Sequence, residues 1–481
     1  MKFQYLFILV SESYQNMKWC TCIIFIFSIT ILKVNAISFY DDTVIHYHVQ
    51  NGLQPSVNKH YLVDAKTGKP VFILATTAWN INALTYTEID TLLQSIAGNG
   101  FNSIMFALDF YPQADEPNVY GHKAYTGTDK TDLDSAYFIY CDYIIDHCTK
   151  LGIYPMLYTM WSGKTTGIMN TYTPGQLFIL GKKIGERYRK NRNVILVAGG
   201  ESSPPYIDTA RVNAMGMGLK EGSAGNNLVT VHPTSPHSNS EYYAHSVWLD
   251  FYMSQGKSNI NGIGFDLTKA VSKDYNLPVV KPTMVGEHRY ESGTKEDPLI
   301  QRRSLYLSIF AGSFGYAYGH NALWQMTPHT AQPWMLKSWA AGVINWKEAL
   351  HTEASKQLAN IKKLLYAYPY LQRIPDATII TSIQSDSIAY RVEAMRDGNY
   401  ESNNASYIMV YISSPGTVSI KTSIISAKKL NIYWFDPATG KSELLEKNII
   451  NIGAYTSKPK TDRKEKDGVL VINSAGSKYH L

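Results

Sequence analysis

Short apolar runs alternate with amphipathic segments through the middle of the chain. Eight of these runs have the length of buried strands, and enough chain separates them for a helix to return each time. They lie at 71–75, 103–108, 154–158, 194–198, 228–231, 247–251, 282–285 and 316–318. Eight such units over roughly 260 residues predict an α/β fold of the (β/α)8 TIM barrel type, and the alternative is an open doubly wound sheet.

Helix signals stand between the predicted strands. Thr85 and Glu88 have the spacing of a capping box, and Thr173-Pro174 opens a helix with proline at its tolerated first position. A third helical pattern covers 134–150. A short hairpin with a turn at Gly68 precedes the first strand of the barrel.

The pattern changes beyond residue 370. Short β-branched or aromatic runs at 377–382, 407–412 and 431–435 are separated by turns, as in a small antiparallel β-sandwich. A helical segment at 349–367 joins the two parts. The predicted domains are a barrel over 37–370 and a C-terminal β-sandwich over 371–481. Because every candidate catalytic residue precedes the second part, we expect that part to be dispensable for chemistry but to help stability or targeting.

The N-terminal segment resembles a secretion signal. Met17 and Lys18 precede an apolar stretch at 23–32 and the small-residue exit Val34-Asn35-Ala36. We expect residues 1–36 to be a signal peptide cleaved near Ala36, with Met17 as the true start. No segment has the length of a comfortable membrane span, so the chain is predicted to be secreted or periplasmic, with no integral membrane span.

Composition narrows the possible functions. The 481 residues include 35 Tyr, 16 Phe and 9 Trp, an aromatic load that suits sugar faces but could equally fill a large core. The formal charge of +6 is scattered, so nucleic acid is not an expected partner. Cys141 and Cys148 lie about two helical turns apart, too far for a disulfide, and are expected to be buried thiols.

Carboxylates follow two of the predicted strands. Glu201 comes after the fourth strand and Glu287 after the seventh. All strands of a (β/α)8 barrel end at one mouth, where the reacting groups of such enzymes lie. Glycosidic cleavage needs a carboxyl pair, one to protonate the leaving oxygen and the other to attack carbon or activate water. For Glu201 alone, a solvated loop residue or a structural ion pair is the alternative.

Other strand ends carry side chains that could bind a sugar. Histidine and glutamine hydrogen-bond hydroxyls and tryptophan stacks on sugar rings, although each could instead pack a neighbour at the rim. The candidates are His232, Asp250, Gln255, Tyr318, His320 and Trp324. The histidines lack metal-site spacing, and no phosphate loop or nucleophile elbow is present, so no cofactor is expected.

The ordered set of these residues resembles the apiosidase-like family of glycoside hydrolases, joined to an accessory domain named for collagen binding. The resemblance is carried by an ordered set of residues that includes Trp79, Gly100-Phe101-Asn102, Asn193-Val194-Ile195 leading to Gly199-Gly200-Glu201, His232-Pro233, Asp250 with Gln255, Gly286-Glu287 with Tyr290-Glu291, Tyr318-Gly319 and Trp324. The segment 434–440 is similar to the accessory domain. The resemblance implies plant cell-wall (pectin-type) side chains, such as those carrying apiose, as substrates, and adds Trp79, Tyr290 and Glu291 to the sugar-binding candidates.

The sequence departs from the family pattern at two places. The family usually has aspartate where Glu201 stands, and Gly-Asp-Thr where this chain has Ala75-Thr76-Thr77. By resemblance, a sugar-binding carboxylate near Trp79 is therefore missing. The hypothesis is a retaining glycosidase with Glu287 as nucleophile and Glu201 as acid/base, while Glu291 is the reserve nucleophile. The alternative is a non-catalytic carbohydrate- or matrix-binding protein on a barrel scaffold.

Overall fold

A computed structural model of the chain describes residues 52–109, 116–162, 167–256, 266–291, 297–327, 329, 345–385, 387–457, 467–479 and 481. These residues all belong to one compact unit, His46–Leu481. The predicted signal peptide lies outside the described residues. Among the helices of the described part, none is both long and apolar enough to cross a bilayer.

Eight parallel strands form the central sheet, which confirms the predicted barrel. Apart from β5 and β6, neighbours in the chain are neighbours in the sheet, and the last strand pairs with the first. The strands are β1 (Ile73–Thr77), β2 (Ser103–Ala107), β3 (Tyr154–Tyr158), β4 (Ile195–Val197), β5 (Val229–Thr230), β6 (Tyr252–Gln255), β7 (Thr283–Glu287) and β8 (Gly315–Tyr318).

Side chains complete the sheet between β5 and β6. Asn239 donates to the Val231 carbonyl at 2.8 Å and accepts from the Met253 amide at 3.1 Å. Asp250 accepts from the Val229 amide at 2.7 Å, and its own amide donates to the Val229 carbonyl at 2.8 Å. The short β5 is thereby fastened to β6 without a regular ladder, and the sheet is nearly closed.

The helices follow the strands in βα order and surround the sheet. The capping box at Thr85 and Glu88 and the proline at the start of α3 are both present, as predicted. The helices are α1 (Tyr86–Gly98), α2 (Ser135–Lys150), α3 (Pro174–Tyr188), α4 (Thr209–Gly222), α5 (Ser240–Tyr243), α6 (Leu267–Tyr275), α7 (Asp297–Phe310) and α8 (Asn321–Trp324). Cys141 and Cys148 are free and buried, also as predicted.

Smaller elements complete the barrel. Three short antiparallel strands precede it, and a two-stranded hairpin lies between β2 and α2. These strands are Leu53–Pro55, Leu62–Asp64, Pro70–Val71, Tyr125–Thr126 and Asp132–Leu133. The 3-10 helices of the described barrel residues are Ile81–Ala83 and Ile168–Thr171, and Tyr370–Gln372 follows the barrel.

Two predicted elements of the barrel region are wrong. The apolar run at 247–251 is not a strand, because Trp248 packs against α4 at Gly216 and donates to Asn213 at 2.8 Å, so β6 starts at Tyr252. The single helix expected at 349–367 is broken into α9 (Trp346–Ala349), α10 (Glu353–Gln357) and α11 (Asn360–Tyr366). Thr352 caps the start of α10 by accepting from the Ser355 amide.

The C-terminal part is a small antiparallel β-sandwich, as predicted. Six strands form one sheet in the order β9-β10-β11-β16-β13-β14, and β12 pairs with β15. The strands are β9 (Ile374–Pro375), β10 (Val392–Arg396), β11 (Tyr407–Ile412), β12 (Ser419–Lys421), β13 (Lys429–Asp436), β14 (Lys441–Ile450), β15 (Ala454–Thr456) and β16 (Gly468–Ser474). The strand expected at 377–382 is wrong: Asp376 caps the 3-10 helix Ala377–Ile379 there by accepting from the Thr378 amide.

One face of the C-terminal sheet packs into the hydrophobic core of the barrel, while the other face forms a separate buried cluster within the C-terminal part. Tyr411 on β11 belongs to the same buried cluster as the barrel residues, and its ring stacks on Tyr306 of α7 at 5.0 Å. Arg302 of α7 pairs with Asp467 at 2.6 Å, and the Tyr411 hydroxyl donates to Asp467 at 2.9 Å. Charges buried in this way bind the two parts together and argue against treating residues beyond 370 as detachable.

Candidate active site

The backbone turns sharply where β4 ends. Gly200 lies against the indole of Trp161, and a side chain at Gly200 would overlap that ring. Glu201 follows with φ at 49°, in the left-handed region that few residues other than glycine adopt. Its carbonyl accepts from the Thr234 hydroxyl at 2.6 Å. The turn holds the Glu201 side chain, which is partly exposed, at the mouth of the barrel.

Four predicted site residues meet at this mouth. Glu287 is the last residue of β7, and its Oε2 lies 3.5 Å from His232 Nε2. Gln255 ends β6, and its Nε2 lies 3.5 Å from Glu201 Oε1. Gln255 also hydrogen-bonds to Glu287. One amide therefore contacts both carboxyl groups, and the two glutamates face a common space.

The electrostatics of the site follow from burial. Burial, and then the nearby charge of Glu201, raises the pKa of Glu287 to about 8, while hydrogen bonds from Tyr290 and Gln255 act in the opposite direction. Burial lowers the pKa of His232 to about 3, so this imidazole is neutral at neutral pH and does not form an ion pair with Glu287. Glu287 therefore carries a proton over most of the neutral range.

Aromatic residues form a wall beside the carboxyl pair. The ring of Trp79 lies 4.8 Å from Tyr158 and 5.0 Å from Trp161, both in contact with His232. The Tyr158 hydroxyl is 3.2 Å from His232 Nδ1. With Tyr158 as donor, the imidazole proton lies on Nε2, which faces Glu287. The sequence analysis did not name Tyr158 or Trp161. Tyr158 is the last residue of β3 and Trp161 lies three residues beyond it, so inspection of every strand end would have found both.

Tyr290 connects this wall to Glu287. Trp79 Nε1 donates to the Tyr290 hydroxyl at 2.8 Å, and Tyr290 in turn hydrogen-bonds to Glu287. The Tyr290 ring lies over Gly319, where any side chain would overlap it, and stacks near Trp324 at 6.2 Å. Trp79 and Trp324 are both almost fully buried, so they position Tyr290 and do not present open faces.

Three buried polar atoms at the mouth make no close hydrogen bond with the residues that the structure describes, and they contact one another only at long distance, as between His232 Nε2 and Glu287 Oε2 at 3.5 Å. They are His232 Nε2, Gln255 Oε1 and Glu287 Oε2. Buried polar atoms are almost always paired in folded proteins, so a cluster of exceptions indicates a place that is prepared for ligand groups. One donor and two acceptors at a carboxyl pair suit the hydroxyl groups of a sugar.

Comparison with known families identifies the chain. The model of the apiosidase-like catalytic domain matches residues 56–372. The chain belongs to the apiosidase-like family. A second family, described as "Putative collagen-binding domain of a collagenase", matches residues 374–473 of the apiosidase-like chain. No curated protein matches the apiosidase-like chain.

Solved structures agree with this family assignment. A protein described as a glycoside hydrolase is 25% identical, with a TM-score of 0.77 over 91% of the apiosidase-like chain and 100% of its own. A family 5 glycoside hydrolase from Bacteroides vulgatus ATCC 8482 is 24% identical, with a TM-score of 0.77 over 91% and 97% of the two chains. The fold is that of barrel glycosidases, and the apiosidase-like chain is a glycoside hydrolase.

The structure places Asp250 of the apiosidase-like chain away from the mouth. Asp250 precedes β6 and therefore lies at the opposite end of that strand from Gln255. Its carboxylate accepts from Lys220 Nζ at 2.6 and 2.8 Å and from the Val229 amide. The sugar contact predicted for Asp250 is not supported, because its oxygens fasten β5 to β6 at the bottom of the barrel.

Tyr318 and Glu291 also lie outside the cluster. Tyr316, two residues before Tyr318 and on the same face of β8, reaches Gln301 of α7, so both tyrosines point away from the barrel axis. The Tyr318 hydroxyl donates to Glu291, and Thr352 donates to the same carboxylate oxygen at 2.9 Å. The structure therefore does not bring these two residues of the apiosidase-like chain to the carboxyl pair.

The alternation of side chains along a strand also shows where residue 76 points, the position at which the family usually has aspartate and this chain has threonine. Thr76 pairs with Tyr318 in the β1–β8 register, so the two side chains point to the same face of the sheet. A carboxylate at this position would lie behind the barrel wall of the apiosidase-like chain and would not face Glu201 or Glu287.

His320, another residue predicted to contact sugar, caps a helix instead: its Nδ1 accepts from the Ala322 amide at the start of α8. The described residues contain no group of three or more His, Cys, Asp or Glu that could hold a metal ion.

Proposed function

We propose that this apiosidase-like chain hydrolyses glycosidic bonds in the side chains of plant cell-wall, pectin-type polysaccharides, with retention of configuration. The observation that carries the proposal is the pair Glu201 and Glu287, joined by Gln255, with buried polar atoms of the site that make no close hydrogen bond. Paired carboxyl groups are the machinery of glycosidic cleavage. The family resemblance supports the substrate class.

The surroundings of the two glutamates support different roles for them. Tyr290 and Gln255 both hydrogen-bond to Glu287, which stabilises its anion and fixes its direction, as a nucleophile requires. Glu201 is partly exposed, so it can exchange a proton with a leaving group and later with water. Glu201 protonates the departing oxygen while Glu287 bonds to the anomeric carbon. Glu201 then deprotonates the water that releases the sugar from Glu287.

This assignment requires Glu287 to be ionised and Glu201 to be protonated when substrate is bound. In the free protein, burial favours the proton on Glu287. A sugar hydroxyl that donates to the unpartnered Oε2 of Glu287 stabilises the ionised form of that residue. Binding the sugar therefore moves the proton toward Glu201, and productive binding and correct protonation are coupled.

The test is hydrolysis of a panel of cell-wall glycans and activated aryl glycosides, with NMR detection of the anomer formed first. The Glu287→Gln variant should lose turnover by roughly a factor of 10⁴, as when a residue of a catalytic pair is removed. Glu201→Ala should regain part of its rate with azide on a substrate with a good leaving group, because departure then needs no acid. Azide rescue of a Glu287 variant alone would reverse the roles, and an inverted first product would refute retention.

We also propose that the chain is exported and cleaved near Ala36. The proposal is supported by the charge, apolar stretch and small-residue exit that follow Met17. Sequencing the N-terminus of protein collected outside the cytoplasm tests it. A mature protein that still contains Cys20 and Cys22 would contradict it.

A further inference from the structure

The segment that follows Glu287 is extended and carries two side chains in opposite directions. The Glu291 amide donates to the Gly319 carbonyl at 2.8 Å, and the Asn321 amide donates to the Glu291 carbonyl at 3.0 Å, which continues the β7–β8 pairing beyond the strands. Consecutive residues of extended backbone point to opposite sides. Tyr290 therefore points to Glu287, and Glu291 points behind the barrel wall.

Glu291 is fixed on that outer side. Its side chain is 4% exposed, and its Oε2 accepts from the hydroxyls of Tyr318 and Thr352, the latter at 2.9 Å. Burial raises the pKa of Glu291 to about 7, and these two hydrogen bonds act against the rise while the charge of Asp297 adds to it. A buried carboxyl group with two donors on one oxygen is held in a single position.

The partner of Glu291 is itself part of the domain junction. Thr352 is the residue that caps α10, and Gln357 at the end of α10 accepts from Arg302. Arg302 is the residue that pairs with Asp467 of the C-terminal part. Hydrogen bonds at the two ends of α10 therefore connect the segment beside Glu287 with Asp467, next to the C-terminal sheet.

We infer that Glu291 is a positioning residue: by tying the Tyr290 segment to Thr352 on α10, its carboxyl group holds the Tyr290 hydroxyl on Glu287. The inference rests on the proposed function, since it gives Glu291 a role through Glu287 and not in contact with the sugar. It replaces the expectation that Glu291 binds substrate or serves as a reserve nucleophile. Backbone hydrogen bonds fasten the Tyr290 segment to β8, and the Glu291 carboxyl group adds the side-chain contact that fastens it on the outer side.

The test measures the pKa of Glu287 directly and needs no substrate. Protein labelled with carboxyl ¹³C glutamate is titrated by NMR, and the Glu287 signal is assigned by its loss in Glu287→Gln. Tyr290→Phe should raise the pKa of Glu287 by up to about one unit, a tenfold change in ionisation, because a hydrogen bond to the charged form is lost. Glu291→Leu and Thr352→Val should shift it in the same direction by a smaller amount.

Conservative variants separate positioning from catalysis. Glu291→Gln keeps an oxygen that can accept from Tyr318 and Thr352, so the pKa of Glu287 should stay at the wild-type value, and Thr352→Ser should restore it for the same reason. Thr91→Val is the matched control, since Thr91 donates only to Thr87 within the exposed face of α1. That control should leave Glu287 unchanged.

The possible outcomes are distinct. If Thr352→Val is folded and leaves the pKa of Glu287 unchanged while Tyr290→Phe shifts it, the inference is wrong, and this holds even if Glu291→Leu does not fold. On any glycoside that the wild type cleaves, Glu291→Gln should keep kcat within a few fold. A loss as large as that of Glu287→Gln would make Glu291 catalytic and also overturn the inference. Absence of wild-type turnover would count against the proposed function alone, because the titration is independent of it.

Discussion

The ion pair between Arg302 and Asp467 gives a direct test of how the barrel and the C-terminal sheet depend on each other. Both side chains are almost completely buried, at 6% and 1% exposure. Arg302 donates through Nε at 3.2 Å and through Nη2 at 2.6 Å, and Asp467 also accepts from the Tyr411 hydroxyl. Replacing Asp467 by Asn keeps the shape of the side chain and removes only its charge.

The expected cost follows from this burial. Asp467→Asn leaves the Arg302 guanidinium buried without its counter-charge, and removal of one partner from a buried pair costs about 3 to 5 kcal/mol. Whole domains are stable by only about 5 to 15 kcal/mol, so this single change should remove a large part of the free energy of unfolding. The stacked rings of Tyr306 and Tyr411 lie beside the pair, so the loss should loosen the junction itself.

The assay is equilibrium unfolding in urea, followed by far-UV circular dichroism for the backbone and near-UV circular dichroism for the aromatic junction. Because one face of the C-terminal sheet belongs to the barrel core, the wild type should unfold in one transition by both signals. The matched control is Glu221→Gln, which breaks the ion pair between Lys182 and Glu221 on α3 and α4, where the side chains are 43% and 51% exposed. Such an exposed pair contributes little, so this variant should match the wild type.

Two results would refute the reasoning. A cost below about 1 kcal/mol for Asp467→Asn would mean that Arg302 finds water or another partner, and that the pair is not buried in the working protein. Two well-separated transitions in the wild type would mean that the barrel is stable without the C-terminal sheet. In that case residues beyond 370 would be dispensable for chemistry, as their position in the sequence first suggested.

Three further predictions concern the candidate site. Gly319→Ala should cost about 1 to 3 kcal/mol by overpacking and should lower turnover, since a methyl group would overlap the Tyr290 ring; urea unfolding and kinetics check this against Gly175→Ala, which meets nothing within 4 Å. Burial raises the pKa of Glu287 from 4.5 to about 8, so the folded protein binds more protons than the unfolded chain in this window. The stability contributed by Glu287 should therefore fall as pH rises through it, by up to about 1.4 kcal/mol per pH unit, and unfolding of Glu287→Gln should lack that slope. Activity should survive prolonged EDTA treatment because two carboxyl groups perform the proposed chemistry, and a loss restored by zinc or calcium would contradict this.

The sequence alone was sufficient for the architecture and for the position of Glu201 and Glu287 at the barrel mouth. The spacing of eight apolar runs predicts the barrel because each buried strand must be followed by a returning helix. Capping patterns such as Thr85 with Glu88 mark helix starts through local hydrogen bonds, which need no tertiary contacts. Glu201 and Glu287 could be found because parallel strands bring their carboxyl ends to one mouth.

Only the tertiary structure decided which neighbouring residues face that mouth. Successive side chains of a strand point to opposite faces of the sheet, and packing against distant elements decides which of them face the barrel interior. Tyr318 and Glu291 point outward, toward Thr352, although both lie close to the mouth in sequence. Asp250 lies at the bottom because contacts of Trp248 with α4 delay the start of β6 to Tyr252. These outcomes depend on contacts between residues far apart in the chain, which a local pattern of apolar and polar positions does not contain.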